Sequence, residues 1–266
     1  MASSSNEGGN PMQLRQRTIL ITGGTDGIGF ELARLLLERG NTVIVTGRDP
    51  QRLAEARRRL PQVHAIASDV ADAAAIEALH ADVTARFPDL SVIVNNAGIM
   101  RNLQVTGSRS LGDITRELDV NLRGPIQMVQ QFLPHLRARG QAAIVNVSSG
   151  LAFIPLAISP VYSASKAALH AYTRALRVQL AGSGVQVFEL APPPVETRLM
   201  RAEFEAETKG TRGMSAETLA LRAIVGIERG RHEILPGLAA VLKAMSRIAP
   251  EFMFRQMTRM MKPGKA

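Results

Sequence analysis

The sequence predicts a doubly wound α/β domain, a parallel sheet of about seven strands with helices on both faces. Three observations predict it. Seven short apolar runs recur along the chain, separated by segments with helical spacing. These runs are nearly continuous in apolar residues, the pattern of strands buried on both faces. The first run enters the first helix through a glycine-rich turn, Thr22-Gly23-Gly24-Thr25-Asp26-Gly27-Ile28-Gly29. Right-handed crossovers between parallel strands then give the doubly wound topology.

The elements follow in order. Strands are expected at Thr18–Ile21, Thr42–Thr46, Val63–Ala67, Ser91–Val94, Ala142–Val147, Val185–Glu189 and, briefly, Glu233–Leu235. In the first helix Ile28, Leu32, Leu35 and Leu36 share a face and Gly40 stops it. Val161 to Leu180 reads as one long helix with Ala164, Ala168 and Ala171 on one side. A charged, glycine-containing insertion at 198–214 is a candidate flap. Near the end, Leu238, Val241, Leu242, Met245 and Ile248 keep helical spacing until Pro250 interrupts. A second stripe runs through Phe252, Met253, Met257, Met260 and Met261, opposite Arg255, Arg259 and Lys262. The organisation expected is a disordered tail at 1–13, one domain at 14–249 and a basic amphipathic segment at 250–266. That last segment reads as packing on its own domain or partner, or as weak contact with an anionic membrane.

Composition narrows the classes. The 266 residues suit one large domain, and 45% hydrophobic content supports a sizeable core. No run of about 18 apolar residues suggests a membrane span. The start, MASSSNEGGNPMQ, reads as a tail and not as a secretory signal. Cysteine is absent, which removes disulfides, thiolate catalysis and Cys-ligated zinc. The five histidines form no ligand-spaced pair, so no metal is expected. The net charge of +9 is spread over many helices, with 4% aromatics and no Trp, so a solvated basic surface is read and nucleic acid is not. A cytoplasmic location is expected, with peripheral contact at the inner membrane as the second expectation.

The glycine-rich turn carries chemistry. Glycines let the backbone turn tightly and approach a pyrophosphate, and the helix N-terminus offers free N–H groups and positive dipole. Its TGxxxGIG spacing resembles the short-chain dehydrogenase/reductase family, whose fold is of the Rossmann type. Further motifs follow in family order over roughly residues 17–200: Asp69-Val70 after the third strand, Asn95-Asn96-Ala97-Gly98 after the fourth, Asn121 in a helix, and Tyr162-Ser163-Ala164-Ser165-Lys166 as YxxxK. The resemblance implies cofactor contacts at Thr22, Gly23, Thr25, Asp26, Gly27, Ile28, Gly29, Asp69, Val70, Asn95, Ala97 and Gly98. It also implies them at Tyr162, Lys166, Pro192, Val195 and Thr197. Pro193 departs from the family's Pro-Gly-x-Val-x-Thr and stiffens that loop. Two stretches, Leu60–His64 and Val187–Pro193, also resemble bacterial reductases encoded with lipoteichoic-acid D-alanylation genes.

NAD-preferring members of the family carry an acid near Thr46 or Gly47, and this chain has none. Arg48 stands there instead and suits a 2′-phosphate, so NADP(H) is expected in preference to NAD(H), although Asp26 replaces a basic residue common among NADP users.

Tyr162 and Lys166 are four apart, on one helix face. A free tyrosine has a pKa of about 10, and a nearby ammonium stabilises its phenolate. Tyr162 then serves as acid or base toward a carbonyl or alcohol oxygen. By resemblance Lys166 also holds the nicotinamide ribose. Ser149 lies thirteen residues before Tyr162, as the family's substrate-polarising serine does, and Ser148 is read as a loop residue satisfying backbone. Asn121 implies a water relay to Lys166. Met100, Leu151, Phe153, Ile154, Pro155, Leu199 and Met200 ring the expected pocket and favour an apolar carbonyl or alcohol, taken in the reductive direction. A reductase of carrier-bound 3-oxoacyl groups and a catalytically silent nucleotide sensor are the alternatives. A homodimer or homotetramer is implied by the family's helix pairing.

Overall fold

The computed structural model describes residues 11–103, 105–199, 204 and 213–260. Seven strands form one parallel sheet: β1 (Thr18–Thr22), β2 (Thr42–Gly47), β3 (His64–Ala67), β4 (Leu90–Asn95), β5 (Ala142–Val147), β6 (Val185–Leu190) and β9 (Glu233–Ile234). Their order is β3-β2-β1-β4-β5-β6-β9, so the chain reverses its winding between β1 and β4. A ligand crevice forms at such a switch point, beyond the carboxyl ends of the strands. β7 (Val195–Glu196) and β8 (Met214–Ser215) pair outside this sheet and were not foreseen.

Strand alternation divides the core into two layers. Ile19, Ile21, Val43, Val45, Val92 and Val94 face α1 (Gly27–Leu37) and α8 (Ala216–Glu228). Leu20, Ile44, Ile93 and Ile144 face α3 (Ala73–Arg86), α6 (Gly124–Ala138) and the end of α7 (Pro160–Gln179). The first three strand-to-helix turns share one device. Asp26, Asp49 and Asp72 cap α1, α2 (Pro50–Arg59) and α3, each accepting a backbone N–H of its own first turn at 2.8–2.9 Å. Such caps satisfy donors that a helix leaves free and fix where each helix begins.

Three expectations change. Met12, placed in the tail, is buried with Leu14 in the core, because an apolar side chain next to the sheet finds cover even after a polar stretch. In α9 (Leu238–Ile248) only Ala239 and Leu242 are buried, while Leu238, Val241 and Ile248 of the expected stripe face outward. In α10 (Pro250–Met260) Met253, Phe254 and Met257 are half-buried and Phe252 is exposed. Arg255 and Arg259 are exposed, as the stripe requires. The tail at 1–10, Met200, most of the 198–214 insertion, the Met260 side chain, Met261 and Lys262 lie outside the described residues.

Candidate active site

The glycine-rich turn is built by close approach. Gly23 and Gly27 hold φ of +64° and +55°, which side-chain-bearing residues rarely adopt. A Cβ on Gly23 would stand 2.8 Å from Ala97 Cα, and one on Gly29 would stand 2.5 Å from Asn96 Nδ2. The buried Thr22 hydroxyl ties the turn to the next loop, donating to Val94 O and accepting from the Asn96 and Ala97 amides at 3.0 Å. Asn96 donates to Thr22 O and Gly23 O at 2.9 and 3.1 Å. Gly27 differs: its missing Cβ would meet the Thr197 methyl at 3.1 Å and no backbone. Between Gly27 and Thr197 the turn is main chain at a helix N-terminus, a cradle for phosphate in which the Gly27 amide itself is held by Asp26.

Around that cradle, Thr25 lies over Gly47, and Ile28 packs against the core. Asp26 is spent on the α1 cap and on Arg198, 3.3 Å from its Oδ2. Arg48, exposed, and Asp69, half-buried, stand together beyond the ends of β2 and β3, 4.0 Å apart. Val70 is buried under Gly124, where a Cβ would strike Val70 O at 2.7 Å, so its side chain anchors the loop. Strand alternation turns the buried Asn95 side chain into the sheet, where it donates to Asn146 Oδ1 at 2.9 Å, and Asn146 donates to Thr173, so a contact of Asn95 with the cofactor falls to its main chain. Asn96, not assigned before, is the side chain that reaches the glycine turn. Pro192 O accepts the Gly150 amide at 2.8 Å, Val195 is buried, and Thr197 Oγ1 donates to Val195 O.

Three groups converge beyond β5. Ser149 follows the strand and caps a short 3₁₀ turn, Gly150–Ala152, accepting from Leu151 N at 3.1 Å. α7 carries Tyr162 and Lys166 one turn apart, both buried. Lys166 Nζ donates to Val147 O at 2.8 Å and lies 5.7 Å from the Tyr162 ring centre. Burial pushes the Tyr162 phenol up to about 12; its hydrogen bond with Ser149 works against that and the charge of Glu117 works with it. Burial pulls the Lys166 ammonium down to about 8, opposed by the charge of Glu189.

Asn121 sits in a π-helical segment, Asp119–Arg123, that leads into α6. Such a bulge re-aims side chains within a helix. Its amide donates to Ile99 O and Ser165 Oγ at 2.8 and 3.1 Å, and its Oδ1 accepts Ile99 N at 2.9 Å. Gly98 stands between Asn121 and Lys166: a Cβ there would be 3.3 Å from Asn121 Oδ1 and 3.6 Å from Lys166 Nζ.

A separate apolar cluster has Leu156, Ile158 and Phe204 buried and Met100, Leu151 and Met257 packed against them. Phe153 instead lies edge-on to His170 at 5.1 Å, and Pro155 and Leu199 are exposed. Sequence reasoning missed Met257, which arrives from α10. Ser148 is a loop residue whose hydroxyl lies 3.5 Å from Leu190 O, as read, but its second contact, a buried donation to Glu189, was missed. The signal was present: Glu189 is a lone acid inside the apolar run Val185–Leu190.

Comparison with known proteins agrees with this geometry. A family model described as short chain dehydrogenase matches residues 17–208. The oxidoreductase DltE of Bacillus subtilis (strain 168) is 42% identical over 247 residues, 92% of this chain and 98% of its own. A short chain dehydrogenase from Burkholderia cenocepacia J2315, solved in complex with NADP, superposes with TM-score 0.79 at 26% identity, over 95% of this chain and 100% of its own. A 3-ketoacyl-(acyl-carrier-protein) reductase from Brucella melitensis, complexed with NADH, gives TM-score 0.74 at 26% identity, over 81% and 92%.

Proposed function

Because the chain belongs to the short-chain dehydrogenase family, we propose that it reduces an apolar carbonyl compound to an alcohol with a nicotinamide cofactor, NADP(H) in preference to NAD(H). The convergence of Ser149, Tyr162 and Lys166 at the carboxyl edge of the sheet carries this reading. When bound, the nicotinamide supplies or takes the hydride. The residues present fit such a group: the glycine-lined cradle at the α1 N-terminus suits a pyrophosphate, and Arg48 suits a 2′-phosphate. Solved neighbours with NADP and with NADH leave the choice of cofactor to this chain's own residues, Arg48 and the missing acid at 46–47.

The chain's groups divide the work. Tyr162, with its pKa near 12, holds its proton at neutral pH and donates it to the substrate oxygen, which favours reduction. Ser149 donates a hydrogen bond to the same oxygen and polarises it. Lys166, a cation at pH 7, lends positive charge to Tyr162 and grips the ribose. Asn121 fixes the loop beside Lys166, where Gly98 leaves room for a water to refill the proton. The apolar cluster with Met100, Leu151 and Met257 receives the rest of the substrate.

A panel of aldehydes, ketones and alcohols, followed by nicotinamide absorbance with both cofactors, tests the reading. Tyr162→Phe is expected to keep NADPH binding and lose on the order of a hundredfold or more in turnover. A near-wild-type rate in that variant, on any substrate the panel finds, overturns it.

A further inference from the structure

Glu189 is fully buried near the carboxyl end of β6. An unpaired carboxylate there would be strongly disfavoured. Both its oxygens are engaged: Ser148 Oγ donates to Oε1, and His170 Nδ1 lies 2.8 Å from Oε2. Both partners border the proposed proton-transfer pair. Ser148 separates Ser149 from Val147, whose carbonyl holds Lys166. His170 follows Lys166 by four residues and Tyr162 by eight on α7, so the three form one stripe along the helix. Glu189 is thereby tied to the strand end that carries Ser149 and to the helix stripe that carries Tyr162 and Lys166.

The other charges nearby are accounted for. Glu233 of β9 pairs with Lys243 of α9, and Lys243 also lies over the Phe153 ring at 5.7 Å. Arg177 of α7 donates to the Val187 and His232 carbonyls at 3.0 and 3.2 Å, and the His232 ring lies against Phe188. His170, Glu189 and Glu233 could present ligand atoms within 4.8 Å of one another, yet Lys243 already brings a positive charge to that corner. Lys166 is different. Among the described residues it has no carboxylate within ion-pair distance, only a carbonyl. A dipole holds a buried ammonium less well than a full negative charge does.

We propose that Glu189 is a positioning residue for Lys166: its buried negative charge, fixed by Ser148 and His170, keeps the lysine in the ammonium form that grips the cofactor ribose and supports Tyr162. The proposal rests on the reading of Tyr162 and Lys166 given above. The electrostatics agree, since burial lowers the Lys166 pKa and the charge of Glu189 opposes that fall. Removing the charge should let Lys166 lose its proton at lower pH.

The test is NADPH binding, read by nicotinamide fluorescence from about pH 7 to 10. Wild type should lose affinity as Lys166 deprotonates, and Lys166→Ala should lack that alkaline fall. Glu189→Gln keeps the shape and a hydrogen-bonding group but removes the charge. Its midpoint should move down by about one pH unit, a tenfold change in proton affinity. Glu189→Asp, which restores the charge, should return the midpoint toward wild type. A merely structural role would lower the melting temperature of Glu189→Gln and leave the midpoint in place. Should that variant not fold, Ser148→Ala/Glu189→Met removes both ends of the buried hydrogen bond and is expected to fold and show the same downward shift. An unmoved midpoint in whichever of the two variants folds overturns the proposal, while the reading of Tyr162 stands if Tyr162→Phe is inactive. If Lys166→Ala keeps the alkaline fall, the reading of Lys166 itself is wrong and this proposal falls with it.

Discussion

Lys166 is 4% exposed and Tyr162 7%. Function and stability pull against each other at the lysine. Its pKa drops from 10.5 to about 8 on burial, so the folded chain binds fewer protons than the unfolded one between those values. Stability therefore rises with pH through that window, and the charged lysine is a burden below it. Lys166→Met should raise the stability of the cofactor-free protein relative to wild type at pH 7, and the advantage should shrink by about 2 kcal/mol at pH 9.5. Denaturant unfolding at the two pH values measures this, and a constant difference would refute it. Tyr162 has the opposite sign: burial disfavours its phenolate, so stability falls as pH climbs from 10 toward 12, where the unfolded chain loses the proton first. Arg48 is exposed and held by one loose contact with Asp69, so turning it toward a phosphate breaks little. NADPH should bind more tightly than NADH, and Arg48→Ala should narrow the gap about tenfold or more, since a charge-assisted contact contributes roughly 1.5–3 kcal/mol. Equal affinities in wild type, measured by fluorescence titration, would reject the preference.

At the scale of elements, α7 has two faces with different tasks. Tyr162, Ser163, Ser165, Lys166, Leu169, Thr173 and Leu176 point inward. Of the expected stripe Ala164 and Ala171 are exposed and Ala168 is half-buried; Ala167 is exposed beside them, with Val178 beyond at 77% exposure. The small residues are thus not needed for packing on the chain's own sheet. They leave a smooth surface on which a second copy's helix could approach closely, and a dimer or tetramer built through this face is the expectation. Ala171→Glu puts a buried charge into such a contact and should yield monomers by light scattering, with the fold intact by circular dichroism. A wild-type monomer at working concentration would dismiss the idea. The turns were legible to differing degrees. The β1-to-α1 glycines could be read residue by residue, because tight backbone approach admits few alternatives. The β7–β8 pair could not, because two residues per strand carry no periodicity.

Across the whole molecule, α10 connects the end of the sequence to the middle. Met257 packs on the cluster of Leu156, Ile158 and Phe204, the cluster proposed above to receive the substrate. A chain ending at Ala249 should keep its NADPH affinity and show a KM for apolar carbonyls higher by about tenfold, the weight of one uncovered methionine-sized contact. Unchanged KM would show that the helix does not cover the substrate. Equal sedimentation of the two chains with anionic vesicles would also remove lipid attachment as a role for this segment.

The sequence by itself determined the parallel sheet, the strand-to-helix turn at Gly23–Gly29 and the order of Ser149, Tyr162 and Lys166. Each of these is a short-range pattern: apolar runs, glycines at fixed offsets, two residues one helical turn apart. Packing between distant segments decides that Asn95 turns inward while Asn96 ties the glycine turn, that Ser148 and His170 meet on Glu189, and that Met257 packs on Leu156, Ile158 and Phe204. Ser148 and Glu189 are 41 residues apart and are neighbours because β5 and β6 pair in parallel. Burial of a charge, and the partner it then requires, arises from packing between distant segments, which local spacing does not encode.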